Sequence, residues 1–392
     1  MKFLIASFLW LLAMLASAND GVYYVSGNQI VPLQETDIAV TKEVLTITIG
    51  DDEFARVDVQ YEFTNRGKAK TIDVGFEAAG PYDPGCEEPF NKAGKHPHIF
   101  DFTVEMNGEK LPIRNFVMKE SSEEEMADFK PLDLNVWREP TAEEDYLGNL
   151  VNKNDPDDMI NYAYAYCFKA NFKEGKNVVH HTYRYRMSNG VYQHFNVPYW
   201  LKPAMRWANH QIDDFTLRIK VDKTAKQFCI ANDDMWKKSQ WRVTSGAGKV
   251  HTMRHYDVDY LEFSLRNGTI EWHGTNFHPT SDFSITSPEN ILFYRDDFKL
   301  GRFYDRGTPV IAPIEMLQDT DEGVKFSFAG TTDGIPNKRI LRNLPYAHRG
   351  YVFKDQKLAA YFKSLWWYMP DPNWQQDTSD FTETEREMIK GE

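Results

Sequence analysis

Alternation of apolar and polar residues, with a period of two, runs through most of this 392-residue chain. Leu45, Ile47 and Ile49 alternate with Thr and Gly, and Val57, Val59, Tyr61 and Phe63 alternate with polar partners. The same period recurs at Phe100-Phe102-Val104-Met106, Phe215-Leu217-Ile219-Val221, Leu261-Phe263-Leu265 and Val324-Phe326-Phe328. Successive side chains of a strand point to opposite faces, so this pattern buries one face of a sheet and wets the other. Asn107-Gly108 has the chemistry of a hairpin turn, because both positions accept positive φ. Asn65-Arg66-Gly67, Glu174-Gly175-Lys176-Asn177 and Asn267-Gly268 are expected to turn the chain in the same way, and Ser245 to Lys249 reads as another turn. The expected fold is mainly β: antiparallel β-sandwich modules to about residue 330, then a small C-terminal α-helical domain.

The period changes near the C-terminus. Leu358, Tyr361, Phe362 and Leu365 share one face of a helix that starts after Asp355 and ends by Pro370 and Pro372. Thr382 followed by Glu385 is a capping box opening a last helix through Met388 and Ile389. Gly350 suits the left-handed position that closes a helix. Pro345 fits a first helical position, so a helix is expected to begin there. Three short helices would gather Tyr346, Tyr351, Phe353, Phe362, Trp366, Trp367 and Trp374 into an aromatic core.

Read in order, Arg342-Asn343, Tyr346-Ala347, Gly350-Tyr351-Val352-Phe353, Leu358, Tyr361-Phe362 and Trp367-Tyr368 resemble the YARHG domain of exported bacterial proteins. The resemblance covers about residues 337–392. Two features depart from it: the name-giving pair is transposed to His348-Arg349, and Pro345 stands where an apolar helical residue is usual. A second, looser resemblance links Glu43-Val44-Leu45-Thr46-Ile47, Val59 to Gly67, Val74-Gly75-Phe76 and Asn276 to Thr280 to a bacterial exported domain of unknown function. Together these imply β-sandwich modules and an envelope address, and no catalytic residues.

Residues 1–18 read as a cleavable signal peptide, with Lys2, an apolar run from Phe3 to Leu15 and Ala16-Ser17-Ala18. The run is shorter than the roughly 20 residues that span a bilayer, and no cysteine follows it to carry lipid. The expected product is a periplasmic or extracellular chain without an integral membrane segment. Residues 19–165 would form one β-sandwich module with an acidic insertion at 119–160, and 166–330 a second module or a continuation of the first. Residues 331–392 would form the helical domain. The formal charge of −13 disfavours nucleic acid and anionic membrane as partners. From Glu120 to Ile160 there are 13 acidic and 3 basic residues, read as a solvated loop containing a short helix at 121–127. Cysteine is scarce, and any of the three pairings of Cys86, Cys167 and Cys229 remains open.

Reactive constellations are weakly marked. His251 and His255 lack the glutamate of a His-Glu-x-x-His zinc motif, and adjacent His180 and His181 would face opposite sides of a strand. The stretch Asn152 to Asp158 departs from a calcium loop. No Gly-x-Ser-x-Gly elbow occurs. No catalytic residue, metal site or cofactor is therefore expected. His348 and Arg349 read either as a helix-terminal cation pair or, with Trp366 and Trp367, as a notch for an anion or glycan. The leading expectation is a non-enzymatic envelope protein that binds protein or glycan. The alternative is a hydrolase of cell-wall or extracellular polymer whose site is assembled from loops.

Overall fold

Strand alternation produces a sandwich of two sheets. The computed structural model describes residues 31–32, 36–50, 52–79, 99–119, 132–133, 149–152, 155–189, 195–231, 235–255, 258–288, 300–305, 308–313, 316–320, 323–379 and 381–391. The expected signal peptide, the Cys86 loop, the helix expected at 121–127 and most of the expected acidic insertion lie outside these residues.

The main strands are β1 (Ile38–Ile49), β2 (Phe54–Asn65), β3 (Lys70–Ala79), β4 (Ile99–Met106), β5 (Arg114–Lys119), β6 (Asp155–Phe172), β7 (Gly175–Arg186), β8 (Asn196–Tyr199), β9 (Ile212–Ala231), β10 (Trp241–His255), β11 (Val258–Phe277) and β12 (Phe283–Thr286). The larger sheet runs β8-β12-β9-β1-β2-β7-β4, and β11 joins β9 to β10. Its ladders are antiparallel apart from β9 on β1, which is parallel from Phe215 opposite Glu43 to Val221 opposite Ile49. The smaller sheet centres on β6, flanked by β3 and β5.

The faces meet as the period requires. Leu45, Ile47, Val59, Phe63 and Phe215 are fully buried. Phe63 reaches Phe172 of the opposite sheet at 5.5 Å between ring centres, and Phe76 reaches Tyr183 at 4.9 Å. One apolar cluster extends from Ile38 to Ile285, and β6 runs continuously through the division drawn at residue 165. It begins at Asp155, inside the stretch expected to be an insertion. A second cluster takes Ala312 and Met316 together with residues 335–388. The C-terminal core therefore recruits side chains upstream of residue 331.

Asn107 and Gly108 turn between β4 and the short strand Glu109–Lys110 with φ of 52° and 88°. Two other expected turns do not reverse the chain. Asn267-Gly268 lies within β11 and Ser245 to Lys249 within β10, where the ladder slips between Val243 and Ala247. The structure makes a bulge there because two glycines let the backbones close up. A Cβ on Gly268 would collide with the Ser245 carbonyl, and one on Gly246 with the Asn267 carbonyl. Gly268→Ala should therefore cost about 1–3 kcal/mol. Urea unfolding of the full chain checks this, and a midpoint equal to wild type would show that the bulge relaxes freely.

Candidate binding face of the C-terminal module

Helix α1 (Asn337–His348) starts earlier than expected and passes through Pro345. An interior proline costs about 3 kcal/mol. Ile340, Leu341 and Leu344 are fully buried, and at about 1.5–3 kcal/mol each they outweigh that cost. The helix closes at Arg349 and Gly350. Gly350 has φ of 88°, its N–H donates to Ala347 O at 3.0 Å, and the Tyr351 N–H donates to Tyr346 O at 3.0 Å. These two bonds form a Schellman closure. Helix α2 (Gln356–Ser364) is capped by Asp355, which accepts from the Leu358 N–H at 3.0 Å. It ends before Leu365, so the two tryptophans lie not on the helix but in a turn, closed by the Tyr368 N–H donating to Leu365 O at 3.2 Å, that begins the strap leading to Asp371. Helix α3 (Glu383–Lys390) carries the expected Thr382–Glu385 capping box.

The four residues expected to bind a ligand have separate partners. Arg349 sets its fork on Glu385, Nη1 to Oε1 at 2.7 Å and Nη2 to Oε2 at 2.9 Å, donates to Pro345 O, and lies 4.1 Å from the Phe381 ring centre. It thereby ties the end of α1 to the start of α3. Burial pushes the Glu385 carboxyl up, but the Arg349 bonds and charge outweigh this and hold it below its usual range. His348 meets Trp367 edge-on at 4.5 Å. His348 is half-buried, and its Nε2 is shut off from solvent. Burial lowers its pKa to about 4, with Glu385 opposing and Arg349 reinforcing the shift. Trp367 is buried, and Trp366 stands 5.4 Å from the His251 ring of β10. Of the four, His348 and Trp367 form a ring contact with each other.

Four of the rings assigned to the core by sequence, Tyr346, Tyr351, Trp366 and Trp374, are only partly buried, and Tyr351 and Trp366 among them pack against the core cluster. Tyr346, Tyr351 and Trp374 pack edge-to-face, with centres 6.2, 6.3 and 5.8 Å apart and planes at 64°, 85° and 84°. Buried Phe381 supports Tyr346 from below at 5.2 Å. Exposed Asn373, Gln375 and Gln376 flank Trp374. That amide-rich flank was a sequence signal pointing to an outward-facing tryptophan.

Elsewhere, His180 bonds Asp58 at 2.9 Å on the surface, while His181 is fully buried and its pKa is lowered by desolvation to about 4. Cys167 and Cys229 are thiols. Burial, with Asp73 adding to it, raises the Cys167 thiol to about 11. Among the described residues no three His, Cys, Asp or Glu side chains converge as metal ligands, and no helix is long and apolar enough to cross a membrane.

Residues 337–391 match the YARHG domain family, and the C-terminal module is a YARHG domain. No curated protein matches the chain in sequence. Among solved structures it is similar to a Legionella pneumophila protein ascribed a nutrient-binding role, at 18% identity and a TM-score of 0.47 over 95% of this chain and 98% of that one. An M1 zinc metallopeptidase from Deinococcus radiodurans is similar at 11% identity and a TM-score of 0.24, over 62% of this chain and 43% of that one. An aminopeptidase N family protein from Idiomarina loihiensis is similar at 13% and 0.24, over 69% and 32%. The chain thus spans less than half the length of these two peptidase-family proteins.

Two outcomes follow from the module's ion pairs. Arg349→Ala strands a carboxylate that is 13% exposed, and urea unfolding of the C-terminal region should show a loss of about 2–4 kcal/mol. His348 binds its proton less readily when folded, at about 4 against 6.5 unfolded. Its contribution is present in full above pH 6.5 and is lost as pH falls from there toward 4. Stability measured between pH 7 and 4.5 should fall in wild type and fall less steeply in His348→Phe.

Proposed function

We propose that this chain is an exported protein of a bacterial envelope that binds glycan without chemical turnover, through the face made by Tyr346, Tyr351 and Trp374. The observation that carries this reading is the set of three partly exposed rings held edge-to-face on a hydrogen-bonded frame. Rigid aromatic rings supply contact area with little entropy to lose, which suits them to the apolar faces of a sugar. The flanking Asn373, Gln375 and Gln376 offer donors and acceptors to hydroxyls, favouring a glycan over an apolar peptide.

Arg349 enters this reading through Phe381, which packs edge-on against Tyr346, while His348, Trp366 and Trp367 are not assigned to the face. The module's ionisable groups suit a frame better than proton transfer. Arg349 and Glu385 satisfy each other, and His348 is neutral at pH 7 with Nε2 enclosed. The signal-like residues 1–18 and the YARHG domain support a periplasmic or extracellular address.

The test is retention on insoluble peptidoglycan sacculi, with released sugars assayed alongside. Wild type should be retained and release nothing. Trp374→Ala or Tyr351→Ala should weaken retention by about tenfold or more, as central aromatic anchors do. Release of soluble fragments that is lost on changing one carboxylate would overturn the non-enzymatic reading in favour of the hydrolase.

A further inference from the structure

The two faces of β11 go to different places. Leu261, Phe263 and Leu265 join the main core, whereas Glu262, Ser264 and Arg266, also buried, point the other way. The registers place Cys229 of β9 and His251 of β10 beside Glu262, and Lys249 of β10 beside Ser264. This polar row lies beneath the YARHG domain. Lys249 Nζ donates to Tyr368 O at 2.8 Å, and Arg266 Nη1 donates to Met369 O at 2.8 Å. Arg266 Nη2 is 3.8 Å from the Asp371 carboxylate, and His251 faces Trp366. Gly350 offers bare backbone to the Arg266 guanidinium, where any Cβ would collide with it.

Two of the residues held by these cations, Tyr368 and Asp371, continue to the aromatic face. Tyr368, whose carbonyl Lys249 holds, donates its hydroxyl to Tyr351 O at 2.6 Å. Asp371, which faces Arg266, donates its N–H to Gly350 O at 2.7 Å and accepts at its own carbonyl from the Trp374 N–H at 3.1 Å. Its Oδ1 accepts from the Asn373 N–H at 3.0 Å. The strap at 366–371 therefore bridges the sheet to both Tyr351 and Trp374.

We propose that Arg266, with Lys249, is a latch on the sheet that seats the YARHG domain and positions Tyr351 and Trp374 for their ligand, so that docking and ligand binding are coupled. Arg266 and Lys249 are positioning residues, and the ligand part of this inference rests on the binding face proposed above. The seam is made of cations on carbonyls and one carboxylate, the polar kind of contact that domains make and break reversibly. Ligand on the face should tighten the seam, and loss of the seam should weaken the face by the same factor.

Hydrogen exchange on the full chain, with and without peptidoglycan sacculi, tests this. Arg266→Ala should speed exchange of amides 366–374 by roughly tenfold, the equivalent of one charge-assisted bond, while β1 and β2 stay protected. Retention on sacculi should fall by a similar factor. Arg266→Lys should recover part of both effects, and Gly350→Ala should reproduce the loss. Lys249→Met serves as the second variant if Arg266→Ala fails to fold. Unchanged exchange at 366–374 in a folded latch variant overturns the latch. Faster exchange with undiminished retention overturns the coupling. Absence of wild-type retention removes the proposed ligand class, while the exchange arm still decides the latch.

Discussion

β9 and β11, each 20 residues long, pair along most of their length with a slip between Val221 and Ala225, and alternation along the later part of that ladder sends side chains into two different interiors. Phe228 stacks on Phe263 at 4.8 Å inside the sandwich, while Cys229 and Glu262, one residue away on each strand, lie beneath the helices. A sheet with one wet face needs a core on one side alone. Between Phe228 and Ile230 and between Leu261 and Arg266 this ladder has both faces covered, and the helical domain is placed there by polar side chains that would otherwise meet water. Removing the cover would therefore expose hydrogen-bonding groups more than oil, a modest cost compared with opening the sandwich.

Within the YARHG domain, polar groups serve two partners at once. Asp355 caps α2 and pairs with Arg339 at 2.8 Å on α1. Glu385 caps α3 and holds Arg349 at the end of α1. Tyr368 fills the apolar cluster with its ring and fixes Tyr351 with its hydroxyl. Short helices are marginal in isolation, and these shared bonds make each helix end depend on another element. Such sharing produces cooperative behaviour from three helices of 12, 9 and 8 residues.

Local chemistry was legible in the sequence wherever one residue type is nearly obligatory. The Thr382–Glu385 box, the Asp355 cap, the Gly350 closure and the Asn107-Gly108 hairpin each stand where their residues placed them. The YARHG signature located the domain despite its transposed His348-Arg349. Alternation identified strands but not which face meets water, so Glu262, Ser264 and Arg266 read as a solvent face and are buried. Pro345 misled for a related reason: its local cost is fixed, while the burial that offsets it is a tertiary fact. Asn267-Gly268 carries turn chemistry, and the opposing Gly246 converts that chemistry into a bulge. Tyr346, Tyr351 and Trp374 read as core because an aromatic ring is apolar wherever it sits. Their partial exposure depends on where α1 and the residues around Trp374 come to lie.

That bulge has a bearing on how the molecule lives among others. Among the described residues β10 pairs with β11 alone, so its outer edge presents backbone donors and acceptors to any passing strand. A flat edge of 15 residues is a template for chain-to-chain pairing. The slip at Val243–Ala247 breaks the register near the start of the strand and leaves Ala247–His255 as its longer regular run. By permitting that slip, Gly246 and Gly268 make the edge a poorer template for pairing with another chain.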